Sequence, residues 1–207
     1  DDQRPAALAS LAYAESLNLD TESLRGLALG YRALGESRSL ARVRRLMGDG
    51  DGLALDQAEA ALAAGDKKSA AAHLARVRDL SLVEPEARRL VLMHQNLGDY
   101  RAALEVVKRR VRSHPGDAQW RNDSGVLHSL LGERDEAIAD WSSAIALDPD
   151  GLTPYLSLGS LYSSLNRREE ALDVYQRAAA RRHTKESAGV LRRILDERRK
   201  LLAKPRL

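Results

Sequence analysis

The sequence predicts an all-α protein, a right-handed α-solenoid of stacked helix-turn-helix hairpins that ends in a capping helix. Three observations lead to this prediction. A short turn motif recurs five times, apolar residues between the turns follow helical spacing, and aromatic residues are only 4% of the 207 residues. Such a period is typical of hairpins that stack on their neighbours through thin interfaces, without one central core.

The five turns share one form, a Leu or Ala followed by Gly or Asn. Their spacings along the chain are 30, 33, 34 and 34 residues. A left-handed residue after a helix is least costly for Gly, and Asn tolerates that conformation next best. We therefore expect a helix to end at each copy, which are Leu34-Gly35, Ala64-Gly65, Leu97-Gly98, Leu131-Gly132 and Leu165-Asn166.

These turns divide the chain into seven segments. The first resembles the second helix of a hairpin whose first helix would precede this sequence, since Ala9, Tyr13 and Leu17 share one helical side. Five hairpins follow, the first two of them the least regular, and a basic capping helix comes last. The segments are residues 1–20, 21–50, 51–83, 84–117, 118–151, 152–183 and 184–207.

The clearest hairpin is 118–151. Helical spacing predicts a first helix over 118–131 and a second over 134–147, which Pro149 ends because proline cannot continue a helix. Two helices approach closely only where their facing residues are small. Such residues recur as Gly125 and Gly159 on first helices and as Ala103, Ala137 and Ala171 on second helices.

These residues resemble the tetratricopeptide repeat, a family of 34-residue helical hairpins. Residues 152–182 carry the resemblance best, in Tyr155, Leu158-Gly159, Tyr162, Leu165-Asn166 and Ala171. The resemblance implies a superhelix whose first helices line a concave groove that holds peptides or partner helices. It implies a binding protein that does no chemistry itself.

The residues independently favour binding over catalysis. Cysteine is absent, and no Gly-rich phosphate loop or Gly-x-Ser-x-Gly elbow is present. His94 and His128 lie 34 residues apart and could form half of a metal site, but no second ligand pair recurs with them, which favours packed histidines. Asp49-Gly50-Asp51-Gly52 fails the spacing of a calcium loop and is interpreted as a flexible turn. We expect no enzyme activity, cofactor or metal.

The C-terminal end is strongly basic. Residues 177–207 hold eleven Lys or Arg and three acidic residues. Nucleic acid or an anionic membrane could bind there, but no aromatic side chain is available to stack on a base, which favours a solvated face of the capping helix. Thr184 is the expected N-cap. One side of this helix is predicted to pack inward through Val190, Leu191, Ile194, Leu195, Leu201 and Leu202.

The resemblance also places candidate partner-binding residues on the first helices. They are Arg25, Arg32, Arg88, Arg89, Gln95, Asn122, Asp123 and Ser157. Adjacent Arg88 and Arg89 could hold a carboxylate of an acidic peptide, or could pair with neighbouring acids such as Glu84, and the sequence favours neither. The basic runs Arg38–Arg45 and Lys108–Arg112 are expected on outer faces of second helices.

The predicted function is a protein-interaction scaffold that forms a module of a larger protein. The alternative is a docking or substrate-presenting domain of an enzyme or of a secretion-machinery protein whose catalytic or membrane part lies outside this chain. A groove for chaperone C-terminal tails is disfavoured, because the lysines of that family subclass are missing and Asn122 lies one position away from its expected place. Arg- and Ala-rich composition suggests a bacterial source, and no compartment is assigned.

Overall fold

The computed structural model describes residues 3–17, 19–77, 84–181 and 188–203. These ranges contain twelve α-helices and no strand. The chain divides into two compact units, Asp1–Leu97 and Gly98–Leu207, called unit 1 and unit 2 below. The predicted all-α class and the helical-hairpin repeat are confirmed.

Unit 1 contains the first six helices. Helices α2 and α3 form one hairpin and α4 and α5 form the next, while α1 packs on α2, α3 packs on α4, and α4 packs on α6. The helices are α1 (Gln3–Glu15), α2 (Thr21–Ala33), α3 (Ser37–Leu46), α4 (Gly50–Ala63), α5 (Lys67–Leu74) and α6 (Glu84–Asn96).

Unit 2 contains the remaining six. Helices α8 and α9 form one hairpin and α10 and α11 form another, with α7 packed on α8, α9 on α10, and α12 on both α10 and α11. The helices are α7 (Tyr100–Ser113), α8 (Ala118–Leu130), α9 (Arg134–Leu147), α10 (Leu152–Ser164), α11 (Arg168–Ala179) and α12 (Ala188–Ala203). The predicted second helix over 134–147 is confirmed at both ends.

All five predicted turn residues have positive φ. The glycines have φ of 71° at Gly35, 77° at Gly65, 77° at Gly98 and 79° at Gly132, and Asn166 has φ of 58°. A Cβ is disfavoured in this region, which is why Gly or Asn recurs there. Gly48, with φ of 66°, ends α3 in the same way and lies outside the predicted set.

The Asp49–Gly52 segment is the beginning of a helix, and its interpretation as a flexible turn is wrong. Helix α4 starts at Gly50, and the Asp49 carboxylate accepts a hydrogen bond from the Gly52 amide at 2.7 Å. Asp is a favoured N-cap because its side chain satisfies an amide that has no partner inside the helix. Equivalent caps are Asp20, Asp66, Asp99 and Asp117.

Aromatic side chains fill the space left by glycines in unit 2. A Cβ on Gly125 would lie 2.7 Å from the Nε1 atom of Trp141, and a Cβ on Gly159 would overlap the ring of Tyr175. Trp141 is 3% exposed and Tyr175 is fully buried. The predicted need for small residues at Gly125 and Gly159 is confirmed.

Helix α12 buries a narrower side than predicted. Ile194 and Leu201 join the core of unit 2, and Val190 and Leu191 pack partly against it. Leu195 and Leu202 are 41% and 56% exposed, so the prediction that they pack inward is wrong. The expected N-cap Thr184 lies outside the described residues. None of the helices that the structure describes is long and apolar enough to cross a membrane.

Candidate functional site

Three first helices of unit 1 are joined by ion pairs on one face. Arg32 on α2 lies 2.8 Å from Glu59 on α4, and Glu59 lies 2.5 Å from Arg89 on α6. Arg89 also pairs with Asp56, one turn before Glu59, at 2.7 Å. Since side chains from α2, α4 and α6 meet here, the three helices present a common surface.

A buried arginine extends this set of charges into the core. Arg44 on α3 has a side chain that is only 6% exposed, and it pairs with Asp49, with Asp56 at 3.2 Å and with Glu86 at 2.7 Å. The expectation that the whole run Arg38–Arg45 lies on an outer face is therefore wrong for Arg44. Three carboxylates satisfy a charge that would be very costly to bury alone.

The surroundings of the two arginines shift their pKa values in opposite directions. Burial disfavours the charged guanidinium of Arg44, but the carboxylates of Asp56, Asp49 and Glu86 together raise its pKa above the ordinary value. Burial and the nearby charge of Arg89 lower the pKa of Arg32, which Glu59 partly offsets. Both groups stay charged at neutral pH, because arginine is protonated throughout the physiological range.

Two exposed leucines flank the ion pairs. Leu29 on α2 is 63% exposed and lies one turn before Arg32, and Leu92 on α6 is 58% exposed and lies one turn after Arg89. Arg25, one turn before Leu29, is exposed. We call this surface the ladder face and define it by Arg25, Leu29, Arg32, Glu59, Arg89 and Leu92.

The structure gives the predicted arginines different surroundings. Arg25 forms no ion pair with the described residues, and Arg88 pairs with Glu84 one turn earlier at 2.8 Å. Arg89 is committed to Asp56 and Glu59. Gln95 lies near the end of the same helix and is half-buried. Among the residues that the structure describes, Arg25 is the one of the four predicted arginines that has no ion pair.

The remaining predicted residues belong to unit 2. Asn122 and Asp123 lie on α8 and Ser157 lies on α10, all three half-buried. The Asn122 amide donates to the Asp123 carboxylate at 3.5 Å, and the Oδ1 atom of Asn122 is buried without a hydrogen-bond partner in the described part of the chain.

A histidine of unit 2 lies between two carboxylates. The Nδ1 atom of buried His128 is 2.6 Å from Glu133, and its Nε2 atom is 3.7 Å from Asp140. Asp140 also lies 3.3 Å from Arg121, so these contacts link α8 to α9. Within the described ranges, no group of three or more His, Cys, Asp or Glu side chains is arranged to hold a metal ion.

Sequence reasoning missed Asp56 and Glu59 as the partners of Arg89. A usable signal was present, because Asp56 and Arg89 occupy equivalent positions of adjacent copies, 33 residues apart, and carry opposite charges. Side chains at equivalent positions of neighbouring hairpins can meet, so an acid and an arginine there predict an ion pair. The partners of Arg44 had no such signal, since they come from three different positions in the repeat.

Comparison with known proteins supports the class that the helix pairs define. The tetratricopeptide repeat family profile matches residues 155–201. A curated relative, small glutamine-rich tetratricopeptide repeat-containing protein 2 of Saccharomyces cerevisiae, is 32% identical over 79 residues, which are 38% of this chain and 23% of that protein. The chain thus covers less than a quarter of that relative's length.

Solved structures share the fold at low sequence identity. The TPR2AB domain of yeast Sti1, in a complex with pHSP90, matches with a TM-score of 0.53 at 18% identity, over 97% of this chain and 92% of that one. MamA from Desulfovibrio magneticus RS-1 matches with a TM-score of 0.56 at 18% identity, over 76% of this chain and 92% of that one.

The recurring left-handed turns, the packed hairpins and these matches define a helical-repeat protein. The match over residues 155–201 agrees with the tetratricopeptide repeat that the sequence resemblance implied. The relatives named here are both fungal and bacterial, so the expected bacterial source stays a prediction.

Proposed function

We propose that this chain is a protein-interaction scaffold whose ladder face binds a peptide or a partner helix. One observation carries the proposal: Leu29 and Leu92 are more than half exposed on either side of the ion pairs that join Arg32, Glu59 and Arg89. Exposed leucines beside fixed charges combine apolar contact area with polar groups that set the orientation of a partner.

The ion pairs favour binding because they fix the surface in advance. Arg89 is held by two carboxylates and its side chain is only 13% exposed, so its position does not have to be ordered when a partner arrives. Pre-organised side chains lower the entropy cost of association. Leu29 and Leu92 then provide two apolar contacts for a partner, on helices that ion pairs already join to α4.

Arg25 gives the proposed partner its chemistry. Because Arg32 and Arg89 are already neutralised by acids, Arg25, which has no ion pair with the described residues, is the group to which a partner carboxylate would bind. We therefore propose an acidic peptide with apolar residues on the side that contacts Leu29. Solved Sti1 domains of this fold are complexes with pHsp70 and pHSP90, which supports a peptide ligand in general.

We propose separately that the candidate residues of unit 2, on α8 and α10, form a second partner-binding face. Asn122, Asp123 and Ser157 lie on the two first helices of that unit, and their half-buried side chains carry amide, carboxylate and hydroxyl groups. Their charge is low, so this face would select a partner by hydrogen bonds more than by ion pairs. The sequence-based expectation that a chaperone C-terminal carboxylate is not the ligand remains a prediction.

Selection from a random peptide library, followed by titration of the enriched peptides, tests the ladder face. Leu29→Asp should weaken binding of the enriched peptides at least tenfold, and Leu92→Asp should act similarly. Leu46→Asp is the matched control, because Leu46 is 62% exposed in the same unit but lies on the second helix α3. Equal effects at positions 29 and 46, or an effect at position 46 alone, would contradict the proposal.

Arg25→Glu tests the proposed charge preference. It should remove the preference for acidic peptides, whereas Arg45→Glu, an exposed charge reversal on α3, should leave that preference in place. Arg89→Glu is a poor probe of binding, since reversal would place three carboxylates together and disturb the fold. An unchanged preference in Arg25→Glu would exclude Arg25 as the carboxylate-binding group.

A further inference from the structure

We infer that the outer face of α12 is a second interaction surface, which binds an acidic amphipathic helix of another protein. This surface is independent of the ladder face and lies in unit 2. Helix α12 packs on α10 and α11 through one side and leaves a second apolar side uncovered.

The uncovered side is a row of leucines. Leu191 is partly buried, while Leu195 and Leu202 are 41% and 56% exposed. Their spacings of four and seven residues place them along one side of the helix. Ile194 and Leu201 point into the core at 0% and 6% exposure, so the row is additional to the side that α12 uses in its own unit.

Arginines line one edge of this row. Arg192 and Arg199 are exposed, lie seven residues apart, and form no ion pair with the described residues. Lys200, by contrast, is neutralised by Glu197 at 2.6 Å. The leucine row and the two arginines border one shallow surface depression. It is lined by Ala188, Leu191, Arg192, Leu195, Asp196 and Arg199.

These spacings fit a helical partner. Apolar residues four and seven apart form the seam of a two-helix contact, and charges that recur every seven residues beside the seam select the partner by its own flanking charges. Acidic residues seven apart on a partner helix would meet Arg192 and Arg199. The one acid in the depression, Asp196, leaves the edge with a net positive charge.

The same features argue against three other occupants. A second copy of α12 would bring Arg192 and Arg199 against like charges. Nucleic acid is disfavoured because the arginines border leucines and α12 has no aromatic side chain. A membrane is disfavoured because two half-exposed leucines bury less apolar surface than a single lipid chain, which itself anchors weakly.

Two synthetic helical peptides test the inference by fluorescence anisotropy on the full chain. Both carry the same leucine seam over three heptads; one has Glu at the flanking positions and the other has Lys. The Glu peptide should bind at least tenfold more tightly than the Lys peptide, and its affinity should fall with added salt. Absent binding of the Glu peptide, or equal binding of both peptides, would overturn the inference.

Variants locate the contact. Leu195→Glu should weaken binding of the Glu peptide at least tenfold. Leu147→Glu is the control, since Leu147 is 43% exposed on α9 of the same unit, and it should change the affinity less than twofold. The pair Arg192→Glu and Arg199→Glu should reverse the preference toward the Lys peptide, which a merely unfolded variant would not do.

Two further outcomes separate the alternatives. Binding to vesicles that contain phosphatidylserine, with no binding of either peptide, would replace the inference by a membrane surface. Because the ladder face could itself bind an acidic, leucine-bearing helix, the titrations are repeated in the Leu29→Asp background. The Glu peptide should still bind there and keep its preference over the Lys peptide, so failure of the ladder face and failure of the α12 surface are distinguishable. A loss of Glu-peptide binding in Leu29→Asp would contradict a site on α12.

Discussion

The two units fill the same repeat position by different means. Nine residues after the turn residue, unit 2 has Trp141 in one hairpin and Tyr175 in the next, both buried against a glycine. At the equivalent position of its first hairpin, unit 1 has Arg44, which is also buried but pairs with three carboxylates.

The facing residue explains the difference. Gly125 and Gly159 each lie seven residues before the turn residue of their hairpin, and each leaves space for an aromatic ring. The equivalent residue in unit 1 is Ala28, which is buried and carries a methyl group. Gly52 at the start of α4 has no Cβ, and a Cβ there would overlap the guanidinium of Arg44. The same helical hairpin therefore buries either an aromatic side chain or a paired arginine at this position, depending on where glycine lies.

The largest effect should come from removing the charged core. Arg44→Ala leaves Asp49 and Glu86 without the cation that they share with Asp56, which should lower the free energy of unfolding by about 3–5 kcal/mol. Urea unfolding followed by circular dichroism measures it. Arg45→Ala, on the exposed side of the same helix, should change the free energy by less than about 0.5 kcal/mol. Equal effects would show that the charged core is dispensable.

Opposite signs are expected when a helical glycine is replaced in each unit. Gly159→Ala should destabilise the chain by about 1–3 kcal/mol, because the new methyl group displaces Tyr175. Gly26→Ala on α2, where a Cβ meets nothing within 4 Å, should stabilise by up to about 1 kcal/mol through helix propensity. Thermal unfolding compares the two variants, and a Gly159→Ala variant that is no less stable than the original chain would contradict the packing described for Tyr175.

Replacing a left-handed turn residue should change the free energy of unfolding less than removing the charged core. Gly132→Val should destabilise by about 1–2 kcal/mol, since φ is 79° there and a β-branched side chain opposes it. Asn166→Gly is the matched control, because it eases the same conformation at φ of 58°, and it should be neutral or slightly stabilising. An unchanged melting curve for Gly132→Val would refute the left-handed turn.

The smallest expected effects concern exposed carboxylates. The Ser23 amide lowers the pKa of Asp20, and the Ser69 hydroxyl and amide lower the pKa of Asp66, so both should titrate below 3.8 in carboxyl NMR spectra. Each carboxyl has a lower pKa in the folded chain than in the unfolded chain. The stabilisation of the folded chain by Asp20 and Asp66 is therefore present at pH values above the unfolded pKa and is lost as the pH falls through the folded pKa. The reference is the same titration of the chain unfolded in urea. If Asp20 and Asp66 titrate at the same pH in the folded and unfolded chains, their assignment as N-caps is contradicted.

Repeating the titration at several salt concentrations distinguishes an exposed carboxylate held by an ion pair from one held by a helix amide. In unit 2 the pKa of Glu170 is lowered mainly by Arg167, at 2.8 Å, and to a smaller extent by its own backbone amide. Added salt screens an exposed ion pair more than a short-range hydrogen bond. The pKa of Glu170 should therefore rise more with salt than that of Asp20.

Much of the fold was predictable because it depends on local chemistry. Positive φ at Gly35, Gly65, Gly98, Gly132 and Asn166 follows from the tolerance of Gly and Asn, and the bounds of α9 follow from its apolar spacing and Pro149. These features are set by residues within one or two turns of each other.

The features that sequence missed depend on distant partners. Arg44 looked like one of several exposed basic residues, and its burial depends on Asp56 and Glu86, which lie 12 and 42 residues later. Leu195 and Leu202 had the helical spacing of a buried side, but α12 meets α10 and α11 with only part of that side. Periodicity shows that a helix has an apolar side but not how much of it a neighbour covers.

The measurement that most directly tests the central proposal is photo-crosslinking from two positions of unit 1. A benzoylphenylalanine at position 29 on the ladder face is compared with one at position 46 on α3, in extract from the source organism. We predict a covalent adduct with one acidic partner from position 29, lost in the Arg25→Glu background, and no such adduct from position 46. Adducts of equal yield from both positions, or from position 46 alone, would contradict the ladder face as the binding surface.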